Sequence, residues 1–289
     1  MKKTYFSFYH PITCILYFVI VCVLTLGFIN PLFIFLNIIC AVISCLALLG
    51  KEKTWGSLRY GLILFFTVTL INPFLNARGA TVLFHIGSYH ITFESMAYGM
   101  SSGGILLCIF LWINCFGSFF DTQKLMFLFS RFMQTITLML SMCIKTFKDV
   151  KYRISVLMRI QKMQADAEDD KGIKQKFKTA VHLSTSLLGW TLEDSVDTIY
   201  SMKARGYGIA KRTFYKKYKF RFYDAVATFI FLLCMILQII FCFEYAVAEY
   251  FPTIVIKPVN PAGIISYCIV LLYPVIVEVW EDIRLWHLQ

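Results

Sequence analysis

The sequence is dominated by apolar runs of bilayer-crossing or near-crossing length, at residues 11–29, 31–49, 58–71 (extending to 75), 102–120, 223–243 and 263–280. A helix needs about 20 apolar residues to cross the hydrocarbon of a membrane. Backbone placed there has to satisfy its own hydrogen bonds, which only helices and closed barrels do. The runs are continuous and opened or closed by Asn-Pro pairs at 30–31, 72–73 and 260–261. The expected fold is therefore an all-α integral membrane protein with about six transmembrane helices and a large cytoplasmic coupling region of amphipathic helices. Composition agrees. A chain that is 58% hydrophobic and 16% charged, with a mean hydropathy of +0.68, is no ordinary soluble domain.

Three parts follow. Residues 1–120 form an N-terminal membrane part with four spans, residues 121–221 a cytoplasmic or interfacial region, and residues 222–289 a C-terminal membrane part with two spans. Met1-Lys2-Lys3 resembles the start of a secretory signal, but the apolar run continues without a small-residue cleavage site, so it reads as a first span. Pro11 suits the opening turn of that helix. Residues 50–55 read as a short polar loop, and Asn72-Pro73-Phe74 as the end of the third span. Residues 76–95 read as a mixed loop with strand-like pieces near 81–84 and 90–93. Thr92 with Glu94 would cap the next helix, in which Gly103 and Gly104 allow close helix approach.

Charge sets the orientation. Residues 121–221 hold twenty of the 28 basic and nine of the 17 acidic residues, a difference of eleven that accounts for the whole net charge of +11. The two loops on the other side, 76–101 and 244–262, carry only Arg78 and Lys257 as basic residues. Six spans with both termini in the cytoplasm of a plasma-membrane protein satisfy the positive-inside rule. Counting 125–144 as a seventh span would export the basic block. The lipid bilayer is thus one expected partner, and nucleic acid is not, since no finger or basic-zipper pattern is present.

Inside the basic block, residues 125–144 read as a buried or interfacial helix that continues as an amphipathic arm to about 164. Residues 165–172 read as a loop and 175–188 as a second helix. A third helix would start at Thr191, with Asp194 in the capping-box position. Leu192, Val196, Ile199 and Met202 form its stripe. Lys203 and Arg205 load its last turn, and Gly206 suits the left-handed residue that ends a helix.

No catalytic constellation is present. There is no phosphate-binding G-x-x-x-x-G-K-[ST] loop and no H-E-x-x-H. His85 and His90 share one loop without a third ligand, so no metal site is expected. All ten cysteines lie in apolar runs and read as small packing residues. The spans nearly lack ionisable residues, which an ion-coupled transporter would keep. The chain reads as a non-catalytic membrane subunit with no cofactor of its own, driven by other proteins.

Several passages resemble one family. They are His10-Pro11-Ile12-Thr13, Asn72-Pro73-Phe74, Arg78-Gly79-Ala80-Thr81-Val82-Leu83-Phe84 and Ile91-Thr92-Phe93-Glu94-Ser95 with Tyr98-Gly99. The most specific is Ser201-Met202-Lys203-Ala204-Arg205-Gly206-Tyr207-Gly208, followed by Lys211-Arg212-Thr213. In this order they are similar to the transmembrane T component of energy-coupling factor (ECF) transporters, the superfamily that includes the cobalt-type T proteins. The resemblance implies an importer of the ABC class in which a small membrane S component captures a vitamin or transition-metal ion. Two cytoplasmic ABC-type ATPases, holding ATP and magnesium, would drive it, and the T component would couple the two. It also implies that Ala204, Arg205 and Gly206 dock an ATPase, supported by Lys203, Tyr207, Gly208, Lys211 and Arg212. The family's first docking motif would fall at residues 159–167, where no Ala-Arg-Gly stands. Arg159, Gln161 and Lys162 are the candidates in its place. The rival readings are a stand-alone secondary permease, and a membrane anchor or assembly protein that binds anionic lipid.

Overall fold

The computed structural model describes residues 6, 9–75, 81–86, 89–165, 173–209, 218–242, 250 and 260–286. Nine helices and one two-stranded hairpin are found among them: α1 (Pro11–Gly27), α2 (Pro31–Leu49), α3 (Lys51–Leu75), β1 (Val82–Ile86), β2 (Tyr89–Thr92), α4 (Phe93–Phe119), α5 (Thr122–Phe132), α6 (Gln134–Ala165), α7 (Ile173–Ala204), α8 (Phe222–Cys242) and α9 (Pro261–Trp286). Five of them, α2, α3, α4, α8 and α9, are long and apolar enough to cross a membrane, and α1 is a shorter apolar helix of 17 residues. This is the helical architecture of an all-α membrane protein. Contacts divide the chain into two compact units, residues 1–125 with 218–289, and residues 126–217. Both stretches expected to lie in the membrane belong to the first unit.

In the first unit α3 and α2 pack along α4, α2 also packs on α9, and α8 packs on α9 and α1. Small residues make the closest approach possible. A methyl group added at Gly103 of α4 would stand 3.0 Å from the Phe65 carbonyl oxygen and 2.9 Å from the Thr69 hydroxyl of α3. At Gly104 it would stand 2.7 Å from Ile34 of α2.

The centre of this unit holds polar groups joined through Asn37. The Asn37 amide nitrogen donates to Thr25 Oγ1 and to the Tyr267 hydroxyl, both at 2.9 Å, and Asn37 Oδ1 accepts the Trp112 indole N–H at 2.8 Å. One side chain thereby ties α2 to α1, α9 and α4 where no water is at hand to compete. In the turn of α9 that Pro274 interrupts, the Tyr17 hydroxyl donates to the Leu271 carbonyl at 3.2 Å. Most cysteines are buried, with Cys45 and Cys115 sulfurs 3.0 Å apart, whereas Cys143 is exposed.

One end of the unit is fastened by Asp224. Its carboxylate accepts the backbone N–H of Arg221 at 2.9 Å, the reciprocal half of a capping box at the start of α8. The other oxygen accepts the backbone N–H of His10, the N-cap of α1, at 2.7 Å. Lys124, buried, donates to Cys14 at 3.5 Å, and the Tyr218 and Phe220 rings lie beside His10. The chain therefore leaves this unit after Leu125 and returns at Tyr218 at one and the same end. At the opposite end the Tyr250 hydroxyl donates to the Ile29 carbonyl at 3.0 Å and shares a 2.7 Å bond with Ser101.

Some sequence expectations are met and others are corrected. The polar residues 51–55 are the first turns of α3, and the link from α2 is Gly50 alone, at φ +83°. Pro73 lies inside α3, which ends at Leu75. The strand-like pieces form an antiparallel hairpin in which His85 faces His90. Thr92 caps α4 by accepting from Ser95 N, but α4 begins at Phe93, well before residue 102. Glu94 also accepts from the backbone N–H and the hydroxyl of Thr81. The arm from 125 is not one helix, since it breaks at Met133 between α5 and α6. Most importantly, no helix starts at Thr191. Helix α7 runs unbroken through Gly189, and the Thr191 hydroxyl donates back to the Leu187 carbonyl at 2.6 Å. A hydroxyl satisfied within its own helix has no need to cap a new one. Residues 166–172, expected as a loop, lie outside the described residues.

Candidate functional site

The second unit carries the residues that the sequence singles out. Ala204 is the last residue of α7, and Gly206 follows at φ +79°, a conformation that costs glycine little. The N–H of Tyr207 donates to the Met202 carbonyl at 3.0 Å and that of Gly206 to the Lys203 carbonyl at 2.9 Å. These crossed bonds are the Schellman arrangement. Gly208 is also left-handed, at φ +95°, so the chain turns twice within three residues. Lys203, Ala204, Arg205, Tyr207 and Gly208 are all exposed, and Ile209 is 88% exposed. The result is a helix tip that presents a guanidinium beside apolar surface. Lys203 in the last turn adds positive charge where the helix dipole favours it. Lys211 and Arg212 lie outside the described residues.

Arg159 is exposed on α6, whose last turns also contain Gln161 and Lys162, though the side chains of those two lie outside the described residues. α6 and α7 meet where residues 152–156 face residues 190–197. There Arg153 lies 5.1 Å above the Trp190 ring and 3.7 Å from the Asp194 carboxylate. A guanidinium can do both at once, its plane stacking while its edge pairs. Beside this contact Tyr152, Glu193 and Asp197 line an open cavity of about 490 Å³. Arg205 stands eleven residues beyond Asp194, roughly 16 Å along the helix axis, and Arg159 six beyond Arg153, roughly 9 Å. Both candidate residues thus lie on helix segments running past the contact.

Sequence reasoning missed this contact. It took Thr191 and Asp194 for the cap of a new helix. The available signal was continuity: Trp190, Asp194 and Asp197 are spaced for one helix face. Asn37 and Asp224 were missed as well, although polar residues in or beside apolar runs are the usual mark of an interhelical bond. Among the described residues no group of three or more His, Cys, Asp or Glu side chains is placed to hold a metal ion. The sequence matches no protein-family model and no curated protein.

Proposed function

We propose that this chain is the membrane-embedded coupling subunit of an ATP-driven importer of the energy-coupling factor type. It joins a small S component, which binds a vitamin or transition-metal ion, to two cytoplasmic ABC-type ATPases. The observation that carries this reading is the exposed Arg205 on a hydrogen-bonded turn at the end of a 32-residue helix. A planar guanidinium held on a stiff support suits a paired contact with a carboxylate of a partner.

The division of labour follows from stiffness. A helix of 32 residues is about 48 Å long and moves as a unit, so a displacement at its tip reaches its far end. Arg153, Trp190 and Asp194 pin it to α6, whose Arg159, Gln161 and Lys162 form the second contact region. ATP and magnesium act on the partner subunits, and this chain itself catalyses nothing. The six apolar helices, α1 included, are six spans in the plasma membrane. Their even number agrees with cytoplasmic N- and C-termini, and the exit and return at one end of the first unit agree with a basic region kept on one side.

The test is purification of the tagged chain from its own host in mild detergent, with co-purifying proteins identified and ATPase activity assayed. Two ABC-type ATPases and one small membrane protein are expected. Arg205→Glu loses the ATPases and uptake while the chain still inserts, and Arg205→Lys weakens both because the fork is gone. Normal uptake and ATPase capture by Arg205→Glu overturn the proposal. A chain that purifies alone yet transports is a permease. One that neither transports nor has partners, and whose lipid binding vanishes in high salt, is an anchor.

A further inference from the structure

α8 and α9 run antiparallel, and an open cavity of about 600 Å³ lies between them at the end where α8 begins and α9 ends. The residues lining it are graded in the same direction on both helices. α8 passes from Arg221 through Tyr223 to Val226, and α9, read backwards, from Arg284 through Trp280 to Ile276. The gradients take five and eight residues, roughly 8 and 12 Å of helix. Cation, then amphipathic ring, then aliphatic chain is the order of chemistry through the outer layer of a bilayer: phosphate, glycerol, hydrocarbon.

The charges point the same way. Two carboxylates also line the cavity, and both have partners. Asp224 is buried with its two oxygens on backbone N–H groups, and Glu281 lies 3.8 Å from Arg284. That second separation is well beyond a charge-assisted hydrogen bond, so it leaves Arg284 donors to spare. Arg221 is exposed. Trp280, 58% exposed, has the Arg284 guanidinium 5.9 Å from its ring, and Ile276 is 52% exposed below it.

We propose that this cavity is a binding site for one membrane phospholipid. Its phosphate sits between Arg221 and Arg284, its glycerol region against Tyr223 and Trp280, and one acyl chain along Val226 and Ile276. The two forks supply the paired N–H donors that a phosphodiester accepts. The chain's apolar α8–α9 surface carries the rest of the lipid, which explains a cavity smaller than a whole phospholipid.

The full-length protein in nanodiscs of phosphatidylethanolamine and phosphatidylglycerol provides the test. It is irradiated with a photoactivatable phosphatidylglycerol or with a diacylglycerol of the same chains, and labelled peptides are mapped. The phospholipid is expected to label residues 221–226 and 273–284 about tenfold more than the diacylglycerol, as two added charge-assisted bonds imply. The exposed face of α3, around Tyr60, Ile63 and Phe66, labels equally with both probes and serves as the internal reference. The double variant Arg221→Gln with Arg284→Gln falls to the diacylglycerol level at 221–226 and 273–284 and leaves α3 unchanged. Equal labelling of the cavity by both probes, or undiminished labelling in a folded double variant, overturns the proposal. If the double variant does not fold, the wild type decides alone by its preference, or lack of one, for the phospholipid at the cavity over α3.

Discussion

Trp112 donates its indole N–H to the side-chain oxygen of Asn37 across 2.8 Å, in a site where both residues are almost wholly buried. The same Asn37 donates to Thr25 and Tyr267, so four helices meet on one amide. Asn37→Leu leaves the Trp112 indole without an acceptor and is expected to destabilise the bundle by about 1–3 kcal/mol. Asn37→Gln does not restore it, because the longer chain moves the amide away from three fixed partners. Thermal unfolding in detergent checks both, and an unchanged midpoint for Asn37→Leu refutes the role given to the network.

The glycines of α4 divide by what faces them. Gly103→Ala puts a methyl group against the Phe65 backbone at 3.0 Å and is expected to cost about 1–3 kcal/mol. Gly117→Ala meets nothing within 4 Å and gains helix propensity, so its effect is neutral to stabilising by up to about 1 kcal/mol. Paired melting curves of the two variants test the contrast. Equal shifts would mean that α3 and α4 do not approach as closely as described.

Gly206→Ala acts on backbone, since its methyl group meets only Ile209 at an ordinary 3.6 Å. A side chain at φ +79° costs about 1–2 kcal/mol. The helix tip opens more often, and amide exchange at Gly206 and Tyr207 accelerates about tenfold or more while the global melting point holds. Hydrogen exchange with mass spectrometry reads this directly. Unaltered exchange would show that the turn is not held by these two bonds.

The Arg153–Asp194 pair is half-exposed, and a double-mutant cycle is expected to return no more than about 1 kcal/mol. Arg153→Lys keeps the charge but loses the planar stack on Trp190, so it is expected to behave more like Arg153→Ala than like the wild type. Tryptophan fluorescence of a variant retaining only Trp190 reports the stack. A spectrum unchanged by Arg153→Lys would leave the ion pair as the sole contact.

Burial pushes the Tyr9 phenol well above its ordinary range, and the hydrogen bond with Tyr273 acts in the same direction. A group whose folded-state pKa is raised contributes stability that is present below its unfolded pKa of about 10 and is lost as pH rises toward the folded value. Tyr9→Phe is therefore expected to melt closer to the wild type at pH 11 than at pH 8. A gap that stays constant or widens between those two values contradicts the burial of this phenol.

The apolar helices were legible because length and hydropathy report them directly, and the ends of α1, α2, α8 and α9 fall within a few residues of Pro, Asn and charge signals. The end of α7 was legible for a local reason: Gly206 is the only residue type there that takes the left-handed turn at no cost. The start of α7 was not. Thr191 followed by Asp194 is a valid cap signature in isolation, and only packing of residues 190–197 on α6 reveals that the helix passes straight through. The Asn37 and Asp224 networks escaped for the opposite reason. Each is a single polar residue with a partner on another helix, up to 230 positions away in the chain.

The bond from Asp224 to the His10 backbone also carries a consequence for how the protein is made. The acceptor for the backbone N–H of His10, the N-cap of the first helix, is supplied by a residue that leaves the ribosome 214 positions later. Tyr17 waits still longer for Leu271. Through most of synthesis α1 lacks these two bonds, and only arrival of the last two helices closes the bundle. A nascent chain cut off before residue 218 would hold four of the six apolar helices and still present an unfinished edge. Quality-control proteases that recognise such edges would distinguish complete from incomplete copies at this one junction.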